Sequence, residues 1–344
     1  MIRFLLLFCL VAAPFSSVLA VEVDVYTGET PVSGQAASER RQALPAALAN
    51  ALQKHSGLRS LDDFPEAAPV LQSASSILVT FFYRNAERTL ADGTSSEDLR
   101  LVAKFSPNEI DELARSLQLP LWPALRNPLE VWVVVDDGRQ REILPLETAY
   151  TRDSLQNVAD LRGQPLVWPE PDEEGIYPVD MQLLWGGYTE DLASLNGVGV
   201  LILAARREGA RWGIRANLGF RGEHFAWRLQ DFDIESGLLE GLNNAIDQVV
   251  ASSAIAASDQ GIWTRDLTIS GLHSSDDYPD CLSYLQGIGI VDRVTVLYAR
   301  PDGMAFRLEL NASPNYLDEA FARAGVLEPA DKEGLFLFQG NERP

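Results

Sequence analysis

Leu184-Trp185-Gly186-Gly187-Tyr188 opens the stretch whose reading decides the fold. It continues through Val198-Gly199-Val200-Leu201-Ile202-Leu203-Ala204-Ala205 to Arg211-Trp212-Gly213-Ile214-Arg215-Ala216-Asn217-Leu218-Gly219-Phe220 and His224-Phe225-Ala226-Trp227-Arg228-Leu229-Gln230. The apolar run from Val198 to Ala205 has no polar alternation, which predicts a strand covered on both faces. The two segments after it alternate strictly and predict hairpin partners with one wet face. Together they make a three-stranded antiparallel meander with its innermost strand in a core. On the second strand Trp212, Ile214, Ala216, Leu218 and Phe220 share one face, while Arg211, Arg215, Asn217 and Arg221 share the other. On the third, Phe225, Trp227 and Leu229 point in, and His224, Arg228 and Gln230 point out.

That outer face has the opposite charge to the chain. Six arginines (206, 207, 211, 215, 221 and 228) face only Glu208 and Glu223 between Val198 and Gln230, in a protein of net charge −21. Arg211, Arg215, Arg221 and Arg228 are the candidate binding residues, because guanidinium forks match carboxylate and phosphate geometry. The blander reading is a solvated face, or one paired with the chain's own acidic loops. Trp185 and Tyr188, with Trp168, lie beside glycines and prolines. They fit either an aromatic groove for sugar or peptide or large side chains plugging the corners of a core.

Outward from the meander, Ile234 to about Ala256 reads as a helix with Leu238, Leu242, Ile246, Val249 and Val250 on its buried stripe. Upstream come a helix from Asp153 to Leu161, a short buried strand from Pro165 to Trp168, and a helix from Val179 to Leu195 broken at Gly186-Gly187. The strands on either side of this helical region are expected to pair in parallel by a right-handed crossover. These elements form a middle module, residues 151–257.

On each side the pattern reads βαββαβ, the ferredoxin-like order. In residues 21–150 it runs from a strand at Val21–Tyr26, through a helix capped by Ser38 and stopped at Gly57, to strands at Ile77–Tyr83 and Leu99–Phe105. The second helix opens at Ser106-Pro107-Asn108-Glu109, a capping-box sequence, and Leu129–Val135 is the last strand. In residues 258–344 the order is Leu267–Ser270, a helix capped by Ser275, a hairpin turning at Arg300-Pro301-Asp302-Gly303, the helix Leu317–Ala324 and the strand Leu335–Phe338. The predicted class is therefore α+β in three small modules, with linkers at Asp136–Asp153 and Ala257–Gln260.

The first twenty residues form a secretory leader: Met1-Ile2-Arg3, an apolar run from Phe4 to Pro14, and small residues at Val18 and Ala20 before a cleavage site after Ala20. The run is short for a membrane span, and no later segment reaches the length a transmembrane helix needs. An exported, periplasmic protein is expected, with no transmembrane segment after cleavage. Of the two cysteines, Cys9 falls in the leader and Cys281 remains, so no internal disulfide is expected. Cys281 lies on the apolar side of a helix with no basic neighbour and reads as an inert core thiol. The acidic balance excludes nucleic acid and anionic membrane surfaces as partners of the whole surface.

The chain resembles a bacterial family of exported proteins, domain of unknown function 2066. The resemblance rests on the leader, Leu119-Pro120-Leu121-Trp122 before Val131-Trp132-Val133, Gln164-Pro165-Leu166-Val167-Trp168-Pro169, Leu184-Trp185-Gly186, Arg211-Trp212-Gly213 and the segment from Leu272 to Leu310. It implies no activity and no catalytic residues.

The sequence holds no metal-ligand spacing among His55, His224 and His273, no phosphate-binding glycine loop and no nucleophile elbow. Gly197-Val198-Gly199 precedes a strand, unlike a dinucleotide fingerprint. Asp231, Asp233 and Glu235, and Asp172, Glu173 and Glu174, are acidic clusters without a calcium-loop pattern. No cofactor or metal is expected. The reading is a non-catalytic binding or scaffolding component of the cell envelope with an anionic partner. The competing class is a carbohydrate-active or other hydrolase whose acids are gathered by the fold.

Overall fold

A computed structural model describes residues 20–196, 199–300, 303–330, 332 and 334–339; the stretch expected to be a leader, through Leu19, and the positions Gly197, Val198, Pro301 and Asp302 lie outside these residues. The opening strand is split in two. After β1 (Val21–Glu22) the Asp24 carboxylate accepts the Tyr26 N–H at 3.0 Å and the Thr27 hydroxyl at 2.7 Å. This aspartate turn delays the next strand, β2, to Thr27–Pro31. Helix α1 (Ala37–Ser56) buries Leu44, Leu48 and Leu52 and ends at Gly57, whose φ of 74° is left-handed. Ser38 lies inside this helix; Ala36 holds the cap position and makes no side-chain bond.

A short helix α2 (Ala67–Leu71) leads to the hairpin β3 (Leu78–Thr89) and β4 (Ser95–Phe105), and the sheet order is β2-β4-β3. Helix α3 (Pro107–Ser116) begins at the predicted place, but the Ser106 hydroxyl makes no capping bond. The start relies instead on Pro107, whose fixed φ suits the first helical position. Leu44, Leu48 and Leu52 close this core against Leu101, Phe105, Ile110 and Leu119.

The strand expected to complete the N-terminal unit does not join it. After β5 (Leu125–Arg126), which pairs with β1, strand β6 (Leu129–Asp136) becomes an interior strand of the next sheet. Seven of its eight residues are buried, so it needs cover on both faces. The three-stranded sheet, whose β3 is exposed along most of its length, offers no such slot. The ferredoxin-like order is thus not built in residues 21–150.

The central layer continues with β7 (Arg141–Ile143), α4 (Tyr150–Arg162), β8 (Leu166–Val167), α5 (Met181–Gly186) and α6 (Thr189–Asn196). The meander follows as β9 (Gly199–Glu208), β10 (Arg211–Phe220) and β11 (Glu223–Asp231), and then α7 (Ile234–Ala251). The order is β11-β10-β9-β6-β7, with β8 paired to β6. Strands β8 and β9 do not pair with each other as expected; each runs parallel to β6 on opposite sides. One face of the sheet carries Val131, Val133, Leu201, Leu203, Ile214 and Leu218 onto α4 and α7. The other carries Trp132, Val134, Val200 and Ile202 onto Leu184 of α5 and Leu192 of α6.

The C-terminal layer contains β12 (Gln260–Ser270), α8 (Asp277–Gln286), β13 (Val291–Arg300), β14 (Gly303–Ala312), α9 (Asn315–Ala324), β15 (Leu327–Pro329) and β16 (Leu335–Phe338). Its order is β13-β14-β12-β16-β15, and the β12–β16 pair is parallel. Ser275 does not cap α8. The reciprocal bonds lie one residue earlier: Asp277 N–H donates to Ser274 Oγ at 3.2 Å, and the Asp277 carboxylate accepts the Ser274 N–H at 2.7 Å. The architecture is α+β, with several small mixed sheets, and no described helix is long and apolar enough to cross a membrane.

Three arginines tie the N-terminal and central layers together. Arg126, 3% exposed, donates to the carbonyls of Pro123, Lys54, Trp122, Arg162 and Gly163, with the shortest bonds 2.5 and 2.6 Å long. These carbonyls include the ends of α1 and α4, where the helix dipoles are negative. Arg162 donates to Gly57 O at 2.6 Å and pairs with Asp247 at 2.7 Å. Arg59 reaches across to Glu240 at 3.0 Å and Asp247 at 2.7 Å on α7.

Candidate anion-binding face

The strand register fixes which arginines meet. On β10, Arg215 stands directly opposite Arg228 of β11 on one side and Ala204 of β9 on the other. One rung along, Gly213 faces Gln230 and Arg206, and Arg206 faces Asp136 of β6, which faces Arg141 of β7. Because side chains two residues apart share a face, Arg141, Arg206, Arg215 and Arg228 all emerge on the side of the sheet that carries α5.

That side is not the open wet face the alternation predicted, since α5 and α6 cover part of it. Asp180 caps α5, accepting the Gln182 N–H at 2.7 Å, and Gly187 ends it with a φ of 79°. A Cβ on Gly187 would lie 2.6 Å from the Asn217 side chain, so glycine lets the α5–α6 corner sit on β10. The corner holds Trp185 between two guanidinium groups, with Arg141 3.8 Å and Arg215 4.9 Å from its ring centre. Arg215, half-buried, also donates to the Trp185 carbonyl. Burial holds the Arg215 guanidinium below its ordinary pKa, and the neighbouring charges of Arg228, Arg141 and Arg206 push the same way.

Counter-charge here comes from Asp136 and from Glu208, whose carboxylate lies over Gly213 and accepts from the Gln230 side chain at 3.2 Å. Arg141 pairs with Asp136 at 3.2 Å, but Arg206, Arg215 and Arg228 have no ion pair among the described residues. The acidic clusters are engaged elsewhere: Asp172 accepts the N–H groups of Glu174 and Ile176 in its own loop, and Asp233 caps α7 through Ser236 N–H at 2.8 Å.

The other candidates separate from this cluster. Arg211 sits at the strand end and stacks 4.5 Å from the ring of Phe232, which is 69% exposed. Arg221 does not belong to the band. With φ 53° it forms a two-residue hairpin turn with Gly222, about 30 Å along β10 from Arg211, and donates to Ser252 O at 2.6 Å. Tyr188, beyond the glycine corner, is 58% exposed. At the aromatic corner Trp185 packs against the core and between the two guanidinium groups, and Tyr188 stands outside.

The three histidines stay apart. His55 pairs with Asp111 at 3.1 Å, His224 meets Thr189 Oγ1 at 3.0 Å, and His273 is exposed. Among the described residues no group of three or more His, Cys, Asp or Glu is gathered for a metal ion. Cys281 is fully buried, and burial pushes its thiol up to about 12.

Residues 20–123 match the model of a family described as Domain of unknown function (DUF8605). This replaces the resemblance to domain of unknown function 2066, which rested on short motifs. No curated protein and no solved structure matches the chain. The family match covers the N-terminal sheet and its helices and ends before β5, so what is similar to DUF8605 is the N-terminal layer and not the sheet that carries the arginines.

Proposed function

We propose that this protein is a non-catalytic binding component that meets an anionic partner through Arg206, Arg215 and Arg228, with Arg141 and Trp185 completing the surface. The observation behind this reading is the Arg215–Arg228 pair. Like charges directly opposite on antiparallel strands are destabilising, and neither arginine has an ion pair among the described residues. A carboxylate or phosphate from a partner supplies the missing charge. The leader pattern supports placing that partner in the periplasmic envelope. The C-terminal layer is read as a ferredoxin-like unit with one added strand.

The test is chromatography on immobilised poly-L-glutamate under a rising salt gradient. A chain of net charge −21 is repelled by a polyanion unless a local basic surface captures it. The wild type should be retained at low salt and released as salt screens the contact. The Arg206→Gln/Arg228→Gln variant should pass through unretained with its fold intact. Equal retention of both proteins would refute the assignment.

A further inference from the structure

A second site lies where all three layers meet, at the Phe220 end of β10. A cleft of about 640 Å³ is bounded by Trp122 and Arg126 from the segment before β6, Phe220 and the end of α7 from the central layer, and Tyr284 and Tyr316 from the C-terminal layer. The volume falls in the range of small-molecule sites, which favour such junctions between domains.

The chemistry of its walls narrows the occupant. Four aromatic rings and Val249, Ile255 and Ile290 supply an apolar lining. Arg126 contributes a buried cation: its N–H groups all go to main-chain carbonyls, and none of its bonds is to a carboxylate. Helix-end dipoles offset that charge only in part; Arg221 and Glu319 also line the cleft, so its charged walls sum to one positive charge. Ser253 Oγ, in the same wall, is buried without a hydrogen-bond partner.

We infer that this cleft binds a small amphipathic anion, an apolar or aromatic body with one acidic group, whose charge is drawn by Arg126 and which offers Ser253 a hydrogen bond. The rings take the body by stacking and burial, and the acid end answers a cation that the fold leaves without a counter-ion.

The test is fluorescence titration of the whole protein with 1-anilinonaphthalene-8-sulfonate, an aromatic anion, and with its uncharged relative N-phenyl-1-naphthylamine. The anion should bind one saturable site, and the neutral compound should bind about tenfold more weakly or worse. Ala251→Trp, at the exposed end of α7, and Ala320→Trp, on α9, fill the cleft from opposite walls. Each should abolish the saturable phase while circular dichroism stays unchanged. Should Ala320→Trp fail to fold, Ala251→Trp decides alone. The Arg206→Gln/Arg228→Gln variant should titrate like wild type, which separates this site from the arginine face. Anion binding that survives filling of the cleft, or equal binding of the neutral compound, would overturn the inference.

Discussion

Arg126 shows how much one buried side chain can hold. Its donors satisfy carbonyls from α1, α4 and the segment between the layers, so removing it strands several buried acceptors at once. Arg126→Met should cost on the order of 3 kcal/mol or more, read as a lower urea midpoint with an unchanged slope. Ser106 is the contrasting case. Its hydroxyl makes no cap bond, so Ser106→Ala should stay within about 0.5 kcal/mol of wild type, like other changes away from such features. Cys281 gives a pH signature. Its thiol titrates at about 12 in the folded state against about 8.5 in an unfolded chain. The folded state therefore holds the proton more tightly. The stabilisation is complete below the unfolded value and is lost as pH rises toward the folded one. Thermal unfolding should show a steeper fall above about pH 9 in wild type than in Cys281→Ala. A thiol reagent should label Cys281 only after denaturation.

At the scale of elements, the α5–α6 corner positions the site. Gly187→Ala forces a left-handed φ on a residue with a Cβ and pushes that atom onto Asn217. A cost of about 1–2 kcal/mol is expected, together with a shift in tryptophan fluorescence as Trp185 leaves its place between Arg141 and Arg215. Much of this element map was legible. The meander, the inner face from Ile214 to Phe220, the helix break near Gly186-Gly187 and the stop at Gly57 all follow from local periodicity and glycine chemistry, which the neighbouring chain does not alter. The destination of β6 was not legible from order alone, because a buried apolar strand fits any sheet covered on both faces. The strand's own composition held the clue: Val131 to Val135 has no polar member, and an edge of a half-wet sheet would require one. The site was legible only in part for the same reason. Arg215 and Arg228 follow from alternation, whereas Arg206 follows a run buried on both faces, where no alternation marks its side. Arg141 arrives through β6 and β7, whose place in the sheet no local pattern reveals. Arg221 was misplaced because strand parity was carried one residue into the turn.

The whole molecule combines an acidic exterior with one basic face, and it joins its N-terminal and central layers through Arg59, Arg126 and Arg162 rather than through an open linker. Such a surface repels a polyanion over most of the exterior and draws it where Arg206, Arg215 and Arg228 gather, which favours selective capture over general adhesion. The face is held at a cost, since repulsion between Arg215 and Arg228 weakens the free protein by up to about 1 kcal/mol. Both consequences meet in one measurement: thermal unfolding of wild type and Arg206→Gln/Arg228→Gln in low-salt buffer, each with and without poly-L-glutamate. The account predicts that the variant alone unfolds at the wild-type temperature or above it, and that the polyanion raises the wild-type midpoint while leaving the variant's unmoved. A variant that is less stable than wild type yet still stabilised by the polyanion would contradict it, placing the arginines in the architecture and the binding elsewhere.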